Sequence, residues 1–401
     1  MMAAKEETVG VCYDVAVVGA GISGTLAAII LGKAGYSVAL IDRNANCPDE
    51  FRVEKIGGEL VSRFQRLGLL EAVATASTPF TDIVNARRGR VLDRTHAPHF
   101  GFSYSAFVEA MRAQLPGNVD FIVGRVTDLR TSAARQKVML LEGATITARL
   151  VVLATGMGDV LRRSLGIERQ TIHPRQSLSF GFNLVPAGSA RFNHPAVTYY
   201  GERVSDGIDY LSLFPTAGGM RANLFTFRDH RDPWVRALRE RPTQTLAATL
   251  PGLVPILGDF EVVGRVQNWL MDLSVARNCR QPGVVLVGDA YQTSCPAAGT
   301  GVSRLMTDIE QLCLVHAPRW LATPGMATEK IAAYYDDPRK RASDASALEL
   351  AHYRRKLTVA TSPAWRVRRT LQLIRRRALD RIEAVSPNAK ARLRQLAGRP
   401  A

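Results

Sequence analysis

The segment YDVAVVGAGISGTLAAIILGKAGYSVALIDR, residues 13–43, contains the strongest structural pattern in the chain. Its β-branched apolar run, Val15–Val18, is typical of a buried parallel strand. A glycine-rich turn leads from this run into a helical stretch, Thr25–Lys33, with Gly35 suited to its C-terminal end. A second apolar run, Ser37–Ile41, follows. The segment therefore predicts a strand–helix–strand unit of a parallel sheet.

The turn GAGISG has the spacing G-x-G-x-x-G. In such a turn Gly19 permits the tight bend, Gly21 lets the backbone approach a pyrophosphate, and Gly24 lets the helix pack on the strand. The N-terminus of the helix offers N–H donors and the positive end of its dipole. Asp42 lies about 20 residues further on, where a carboxylate accepts hydrogen bonds from a ribose. The pattern predicts a dinucleotide site but leaves NAD and FAD both open.

The rest of the chain changes character twice. From about residue 173 to about residue 274 it reads as strands of a separate sheet, with one helical insertion. The run GVVLVGDA, residues 283–290, returns to the buried-strand pattern of the start. We expect an α/β fold: a discontinuous, Rossmann-like cofactor-binding domain (1–172 and 275–335), an inserted mostly-β substrate domain (173–274) and a basic C-terminal helical region (336–401).

Composition narrows the functional class. The chain has 401 residues, of which 46% are hydrophobic, as in an ordinary globular protein. Its five cysteines form no C-x-x-C pair, which favours reduced thiols over a metal site. It has no apolar run long enough for a bilayer and no signal-peptide pattern at its start, so a cytoplasmic location is expected.

The loop GDAYQTSCPAAGTG, residues 288–301, follows the second buried strand. It could be a phosphate cradle, a simple turn, or the site of a catalytic cysteine, Cys295. A cysteine nucleophile needs a base or a positive environment, and the loop contains no histidine. A small residue in a pocket wall is therefore the favoured interpretation of Cys295.

Together, VVGAGISGTLAAIILGKAGYSVALIDR, VVLATG and GDAYQTSCPAAGTGVSRLMTDIEQL resemble the three flavin motifs of the aromatic-hydroxylase-like FAD monooxygenases, over roughly residues 13–315. The resemblance implies FAD as cofactor and NADH or NADPH as electron donor. It also implies hydroxylation of an aromatic or electron-rich small molecule through a flavin hydroperoxide. The superfamily includes flavin-dependent halogenases and geranylgeranyl-type reductases, which are the alternative enzymes. A flavoprotein scaffold is the alternative without catalysis.

The resemblance also implies which residues form the site. Asp289 would bind the ribityl or pyrophosphate group, Pro296 would lie near the isoalloxazine, and the N–H groups around Gly299–Gly301 would face N1 and O2 of the flavin. Arg43, Arg52 and Lys55 are either cofactor contacts or solvated charges. The expected cofactor contacts are Gly19, Gly21, Ile22, Ser23, Gly24, Asp42, Arg43, Arg52, Lys55, Gly156, Gly288, Asp289, Pro296, Gly299, Thr300, Gly301 and Val302; the residues expected at the reaction centre are Pro296, Gly299, Thr300, Gly301 and Tyr210.

Four positions depart from the pattern of many hydroxylases of this class. Gln292 replaces a histidine, Ser303 an asparagine, and Thr155 the aspartate of the middle motif. Tyr104 stands at the helix start that usually carries a flavin-contacting arginine. In the related enzymes the missing aspartate is linked to handling the nicotinamide cofactor. Together, the four changes predict that this chain belongs to a divergent branch. The chain lacks the Trp-x-Trp-x-Ile-Pro segment of flavin-dependent halogenases, which disfavours the halogenase alternative.

The C-terminal region carries most of the net charge. Residues 339–401 hold 17 Lys+Arg and 4 Asp+Glu, whereas the whole chain has a net charge of +16. This charge favours a terminal helix with solvated arginines whose apolar face packs on the body, or else docking to an acidic carrier protein or an anionic membrane surface. Sparse aromatic residues make nucleic acid the least favoured partner. The apolar face comprises Val367, Leu371, Ile374, Ala378, Ile382 and Val385.

Overall fold

Two β-sheets organise the chain in the computed structural model, which describes residues 12–188 and 191–385 and the side chains of these residues up to Arg376. The strands are β1 Cys12–Val18, β2 Val38–Asp42, β3 Lys55–Gly57, β4 Thr78–Arg87, β5 Arg90–Gly101, β6 Val119–Val123, β7 Val126–Arg130, β8 Gln136–Leu140, β9 Thr145–Leu153, β10 Glu168–Pro186, β11 Val197–Tyr200, β12 Ile208–Thr216, β13 Gly219–Thr226, β14 Phe260–Arg277 and β15 Val284–Leu286. The helices are α1 Ile22–Lys33, α2 Glu59–Arg66, α3 Leu70–Thr75, α4 Tyr104–Arg112, α5 Val160–Ser164, α6 Pro233–Glu240, α7 Pro242–Thr249, α8 Leu253–Leu257, α9 Gly301–Glu310, α10 Ala317–Leu321, α11 Thr328–Tyr335, α12 Pro338–Val359 and α13 Pro363–Val385.

The first sheet has seven strands in the order β6-β2-β1-β9-β8-β7, with β15 beside β9. Strands β6, β2, β1, β9 and β15 run parallel, so the predicted strand–helix–strand unit and the α/β class are confirmed. Helix α1 is buried along most of its length, which explains why its sequence is apolar on all sides. The carboxyl ends of β1, β9 and β15 meet at one edge, where open α/β sheets bind ligands.

The second sheet has eight strands in the order β14-β10-β13-β12-β11-β4-β5-β3. Strands β10 to β14 come mainly from the range 173–274 that the sequence assigned to the β lobe. Strands β3, β4 and β5 also belong to this sheet, although the sequence analysis placed them in the cofactor domain. The reason is a non-local pairing: β4 runs parallel to β11, with Val84 opposite Val197, and both side chains lie in the core of the β lobe.

One face of the second sheet packs against α6, α7 and α8. Leu238, Leu246 and Leu253 from these helices are fully buried against sheet residues such as Phe180 and Phe182. Helix α12 packs against α9 and against strand β12. Arg354 of α12 forms an ion pair with buried Asp209 of β12, with a shortest N–O distance of 2.6 Å. Helix α12 therefore joins the two halves of the molecule.

Helix α13 packs on α12 and β5 with its polar side. Arg369 donates to the carbonyl oxygens of Leu357 and Ala360 at 2.9 and 2.8 Å. The apolar side faces outward, with Val367, Leu371 and Ile374 between 57% and 59% exposed. The expectation that the apolar face packs on the body is therefore wrong for these three residues, and the side chains of Ala378, Ile382 and Val385 lie outside the described ones. In the described part of the chain, no helix is both apolar enough and long enough to cross a bilayer.

Candidate cofactor site and substrate face

The glycine turn after β1 requires glycine at two positions. Gly19 has φ +102°, and a Cβ there would lie 2.6 Å from the carbonyl oxygen of Ala154 in the neighbouring strand end. A Cβ on Gly24 would lie 1.8 Å from the carbonyl oxygen of Gly19. The turn and the first turn of α1 are therefore in direct contact, which is the close helix–strand approach expected at a pyrophosphate site.

Tyr104 is the first residue of α4, and its side chain reaches the N-terminus of α1. The sequence alone assigned it no role. Its hydroxyl accepts a hydrogen bond from the N–H of Ile22 at 3.3 Å and would lie 3.0 Å from a Cβ on Gly21. Burial raises the pKa of Tyr104 to about 12, so the hydroxyl stays protonated and can still donate to an anion. The only sequence signal was its position at the start of α4, where the related pattern has an arginine.

Asp42 ends β2 beside the glycine turn, as the sequence predicted. Its carboxylate accepts hydrogen bonds from the N–H of Ala20 at 2.7 Å and of Asn44 at 2.9 Å. Arg43 is exposed. Behind the turn, buried Arg112 donates to the carbonyl oxygen of Ala20 at 2.8 and 3.1 Å. Arg112 thus holds the glycine turn in place through the backbone of Ala20. Nothing in the sequence of α4 indicated this role.

The segment after β15 meets the glycine turn at Gly288. A Cβ on Gly288, which has φ +60°, would lie 2.6 Å from Oγ of Ser23 in the first turn of α1. The next residue, Asp289, accepts no hydrogen bond on its carboxylate from the described residues, and burial raises its pKa despite the opposing charges of Arg304, Arg52 and Arg169. Asp289 is half-buried, and a partly desolvated carboxylate without a partner is poorly stabilised, so this group fits a ligand hydroxyl donor.

Arg52 approaches the cleft from the opposite side. Its guanidinium lies 4.1 Å from the ring centre of Trp269 in β14 and pairs with Glu50 at 2.9 Å. It also acts electrostatically on both Asp289 and Tyr104, lowering the pKa of each against the effect of burial. Arg52 therefore remains a candidate contact for a diphosphate.

The loop between Ser294 and α9 has the geometry of a site that binds an anion or the negative end of a dipole. Pro296–Ala298 form a 3-10 turn, and Gly299 follows with φ +69°. Helix α9 then begins at Gly301 without a side-chain cap among the described residues, so its first N–H groups are available. Gly299 and Gly301 are exposed, and Val302 is half-buried.

Several buried polar atoms around this cleft lack a hydrogen-bond partner among the described residues, although Nε of Arg169 lies 3.6 Å from a carboxylate oxygen of Asp159. They include Oγ1 of Thr155 and of Thr300, Nε of Arg162 and Nε of Arg169. Gly156, with φ +58°, accepts a hydrogen bond on its carbonyl oxygen from Arg169 at 3.3 Å, and the same guanidinium reaches the carbonyl oxygen of Asp289 at 3.1 Å. Orphaned hydroxyls beside a glycine cradle fit a bound dinucleotide. The residues present therefore fit FAD.

Cys295 has the environment of an unreactive thiol. It is fully buried, its sulfur lies 3.4 Å from Oγ of Ser177, and burial raises its pKa. Gln292 does not act as a base for this thiol either, because its side-chain amide donates to the carbonyl oxygen of Asp344 at 3.0 Å. The geometry agrees with Cys295 as a wall residue.

A buried network of four charges supports the loop from behind. Lys340 of α12 contacts Asp308 at 2.7 Å and Asp344 at 3.0 Å, and Arg304 contacts the same two carboxylates at 3.2 and 3.1 Å. Arg304 also donates to Oγ of Ser294 at 3.0 Å, and Asp308 accepts from the N–H of Gly288 at 2.9 Å. This network has no signal in the sequence, because its members are separated by up to 40 residues and share no motif.

Lys55 points into the β lobe. Its Nζ donates to Oγ of Ser212 at 2.8 Å and lies 5.4 Å from the ring centre of Phe214. Burial lowers its pKa to about 8. The cofactor contact of Lys55 stays a prediction; in the structure β3 pairs with β5 in the second sheet, and the Lys55 side chain contacts Ser212 of that sheet.

Tyr210, the predicted pocket residue, lies on β12 among other aromatic and charged groups. Its ring centre is 4.7 Å from that of Phe225 and 5.3 Å from the guanidinium carbon of Arg354. Its ring neighbour Phe225 packs against the buried cluster that contains Cys295 and Ala297 on either side of Pro296. Tyr210 is half-buried and not a full member of the core.

A parallel sheet with a glycine cradle after its first strand, two carboxylates at its strand ends and an uncapped helix N-terminus has the architecture of a dinucleotide-binding domain. The FAD binding domain family matches residues 12–346. The chain belongs to this family, and its cofactor is FAD.

Named relatives are similar at low identity. Aklavinone 12-hydroxylase from Streptomyces peucetius subsp. caesius is 27% identical over 72% of this chain and 64% of its own length, so the chain spans about two thirds of this relative. Ubiquinone hydroxylase from Rhodospirillum rubrum is 26% identical over 78% of this chain and 74% of its own. The crystal structure of p-nitrophenol 4-monooxygenase from Pseudomonas putida superposes with a TM-score of 0.74 at 18% identity, covering 98% of this chain and 100% of that one. This last likeness confirms the fold.

Proposed function

We propose that this protein is an FAD-dependent monooxygenase that hydroxylates an aromatic or otherwise electron-rich small molecule. The observation that carries the proposal is a pair of features close to the second sheet: the unpartnered Asp289 carboxylate and the uncapped N-terminus of α9, whose preceding turn, Pro296–Ala298, packs against β10 and β13. The names of two relatives, an aklavinone hydroxylase and a ubiquinone hydroxylase, support the same class of reaction.

In this proposal each residue has a defined task toward the cofactor. The α1 N-terminus, with the Tyr104 hydroxyl beside it, binds the diphosphate, and Asp42 binds the adenosine ribose. Asp289 accepts a hydrogen bond from the ribityl chain. The N–H groups at the start of α9 stabilise negative charge on the ring system. Bound FAD supplies the activation of molecular oxygen, which no amino-acid side chain can provide.

The β lobe would hold and orient the substrate. Tyr210 and Phe225 offer aromatic faces for stacking, and the Lys55 ammonium, held by Ser212, offers a positive charge for an electron-rich oxygen. Burial of Lys55 lowers its pKa to about 8, so its charge can be lost near physiological pH. We propose that Lys55 is a substrate-side group.

The electron donor, NADH or NADPH, and the cytoplasmic location stay predictions. For the C-terminal partner we propose an anionic membrane surface over an acidic carrier protein. The exposed stripe of Val367, Leu371 and Ile374 has Arg368 and Arg375 on one flank and Arg366 on the other, which is the pattern of a helix lying at a lipid interface. Vesicle co-sedimentation, described below, tests this choice.

The activity can be tested with purified, FAD-loaded protein. NADH and NADPH oxidation and oxygen uptake are followed with a panel of phenols, naphthacenequinones and quinols, and products are analysed by mass spectrometry under ¹⁸O₂. Incorporation of one labelled oxygen atom supports the proposal. A chloride- or bromide-dependent halogenated product would favour the halogenase alternative, and turnover without oxygen uptake would favour the reductase. Absence of flavin reduction by either donor or by a partner reductase would favour the scaffold.

A further inference from the structure

A cavity of about 370 Å³ lies between α13 and the β lobe, apart from the cofactor cleft. Four arginines line it: Arg87 and Arg88 from the β4–β5 turn, and Arg366 and Arg369 from α13. None of its lining residues belongs to the cofactor site described above. The proposed function therefore does not explain this concentration of positive charge.

The two arginines of the turn are held by backbone carbonyl groups. Arg87 donates from Nε to the carbonyl oxygen of Gly201 at 2.8 Å, and Arg88 donates from Nε and Nη2 to that of Glu202 at 3.2 and 3.0 Å. Arg88 has φ +50°, an uncommon conformation for a residue with a side chain. These contacts fix both guanidinium groups at the cavity and leave further N–H donors free.

The two arginines of α13 are anchored in the same way. Arg366 donates to the carbonyl oxygen of Thr361 at 3.0 Å, and Arg369 donates to Leu357 and Ala360. A carbonyl oxygen positions a guanidinium group but does not neutralise its charge. The four positive charges are therefore preorganised and remain available to a ligand.

The charge at the cavity is poorly balanced. Within residues 12–188 and 191–376, none of the four arginines forms an ion pair with a carboxylate. The carboxylate in the cavity wall, Glu202, accepts on Oε1 from the Tyr199 hydroxyl at 2.6 Å and the N–H of Gly252 at 2.9 Å, and its single negative charge offsets only part of the repulsion among the four arginines. Burial lowers the pKa of Arg87, and repulsion from Arg88 and Arg369 lowers it further. An anion in the cavity would relieve this repulsion.

We propose that this arginine pocket binds a phosphate or pyrophosphate group. Guanidinium groups match phosphate oxygens with paired N–H donors, and several of them converging on one cavity favour a multiply charged anion. The volume is larger than a single phosphate needs, so the phosphate belongs to a larger molecule. The carrier of the group is either a free nucleotide or the headgroup of an anionic phospholipid, and the exposed stripe of α13 beside the pocket makes both sources testable.

Inorganic pyrophosphate is the first probe, titrated calorimetrically into the FAD-loaded full-length protein at low ionic strength. The double variant Arg88→Gln/Arg366→Gln removes one charge from each wall, and we expect affinity to fall by about tenfold or more. The matched control, Arg90→Gln/Arg375→Gln, removes two exposed charges from the same hairpin and helix but outside the cavity wall. We expect this control to change affinity by less than about threefold. Equal weakening in both variants, or no binding by the wild type, would overturn the proposal.

The source of the phosphate is separated by co-sedimentation with phosphatidylglycerol and phosphatidylcholine vesicles. A lipid headgroup predicts binding to the anionic vesicles alone, loss of that binding in Arg88→Gln/Arg366→Gln, and competition by pyrophosphate. The variant Leu371→Ser should then weaken vesicle binding while leaving pyrophosphate affinity unchanged. A free nucleotide predicts pyrophosphate binding without vesicle binding. Both patterns support the pocket, and NADPH-dependent flavin reduction remains an independent measure of the proposed function.

Discussion

At the scale of single residues, Asp289 offers the most direct test of the cofactor site. The change Asp289→Asn keeps the shape but removes the charge from a carboxylate that has no hydrogen-bond partner among the described residues. A charge-assisted hydrogen bond contributes about 1.5–3 kcal/mol, so FAD affinity should fall by about tenfold or more. Equilibrium titration by flavin fluorescence measures this. Asp259→Asn, at an exposed position of the β lobe, should leave affinity unchanged; unchanged affinity in Asp289→Asn itself would contradict the assignment.

Lys55 predicts a pH dependence of stability. Its pKa is lowered by burial from 10.5 to about 8, so below about pH 8 the folded protein carries a destabilised positive charge. Between about pH 8 and pH 10.5 the unfolded chain binds more protons than the folded one, and this group favours folding increasingly as pH rises. The advantage of Lys55→Met in free energy of unfolding should therefore be largest at pH 7 and shrink above pH 8. Urea denaturation at several pH values measures the difference, and a pH-independent difference would contradict the lowered pKa.

The sequence predicted the geometry of some site residues and not of others. Gly19, Gly24 and Asp42 could be placed because a strand, a tight turn and a helix fix their relative positions within a short segment. Tyr104 and Lys55 could not, because the pairing of distant segments decides where each side chain points. The contact of Lys55 with Ser212, 157 residues away, has no local signal.

At the scale of elements, the charge network between α9 and α12 should be essential for stability. The change Lys340→Met leaves two buried carboxylates, Asp308 and Asp344, with one fewer cation, and breaking such a pair costs about 3–5 kcal/mol. FAD affinity should fall as well, because Asp308 holds the N–H of Gly288. Chemical denaturation and flavin titration measure both effects.

Arg341→Met, on the same helix but exposed, is the matched control for that change. It should alter the free energy of unfolding by less than about 1 kcal/mol, because an exposed charge contributes little. Equal effects of Lys340→Met and Arg341→Met would mean that the network is not the element that holds α12.

The contact between α1 and β1 predicts a steric effect. In Gly24→Ala the new methyl group would meet the carbonyl oxygen of Gly19 at 1.8 Å, so the helix must move away from the strand. We expect a loss of at least about 1–3 kcal/mol in stability and a loss of FAD binding. Gly117→Ala has open space around the added carbon and should be tolerated. Thermal unfolding with and without FAD distinguishes the two variants, and normal FAD binding by Gly24→Ala would contradict the close-packing argument.

The orientation of α13 shows what periodicity alone leaves undecided. Its apolar repeat predicted a helix, which the structure contains, but the pattern could not tell which face would meet the body. Arginine side chains have long apolar stems and many donors, and here they provide the packing. Arg376 lies 4.6 Å from the ring centre of Tyr200, and Arg369 supplies the hydrogen bonds to α12.

At the scale of the whole molecule, the cofactor site and the C-terminal helix are predicted to be separable. A chain that ends after Ser362 keeps α12 and its charge network but lacks α13. We expect it to bind FAD with unchanged affinity and to lose binding of pyrophosphate and of anionic vesicles, because Arg366, Arg369 and the exposed stripe are removed. Flavin titration together with the two binding assays checks this, and loss of FAD binding would show that α13 supports the fold.

The predicted domain boundaries stay a prediction, and the observed sheets group strands β3, β4 and β5 with the strands of the β lobe. The sequence indicated a β lobe inserted between two parts of the cofactor domain, since the change in strand pattern at about residue 173 is visible. It could not indicate that strands from before that point join the same sheet. The parallel pairing of β4 with β11 connects residues more than 100 positions apart, and no hairpin signal marks such a pairing.

Because segments far apart in the chain share the second sheet, that sheet cannot be completed until late in translation. Strands β4 and β5 leave the ribosome well before β11, whose backbone covers the open edge of β4. At ordinary rates of translation the delay is about 5–20 s, long compared with local hairpin formation. During that interval the nascent chain exposes an unpaired strand edge that can recruit a neighbouring polypeptide. A lower growth temperature and a greater supply of chaperones should therefore raise the recombinant yield more than the stability of the finished protein would suggest.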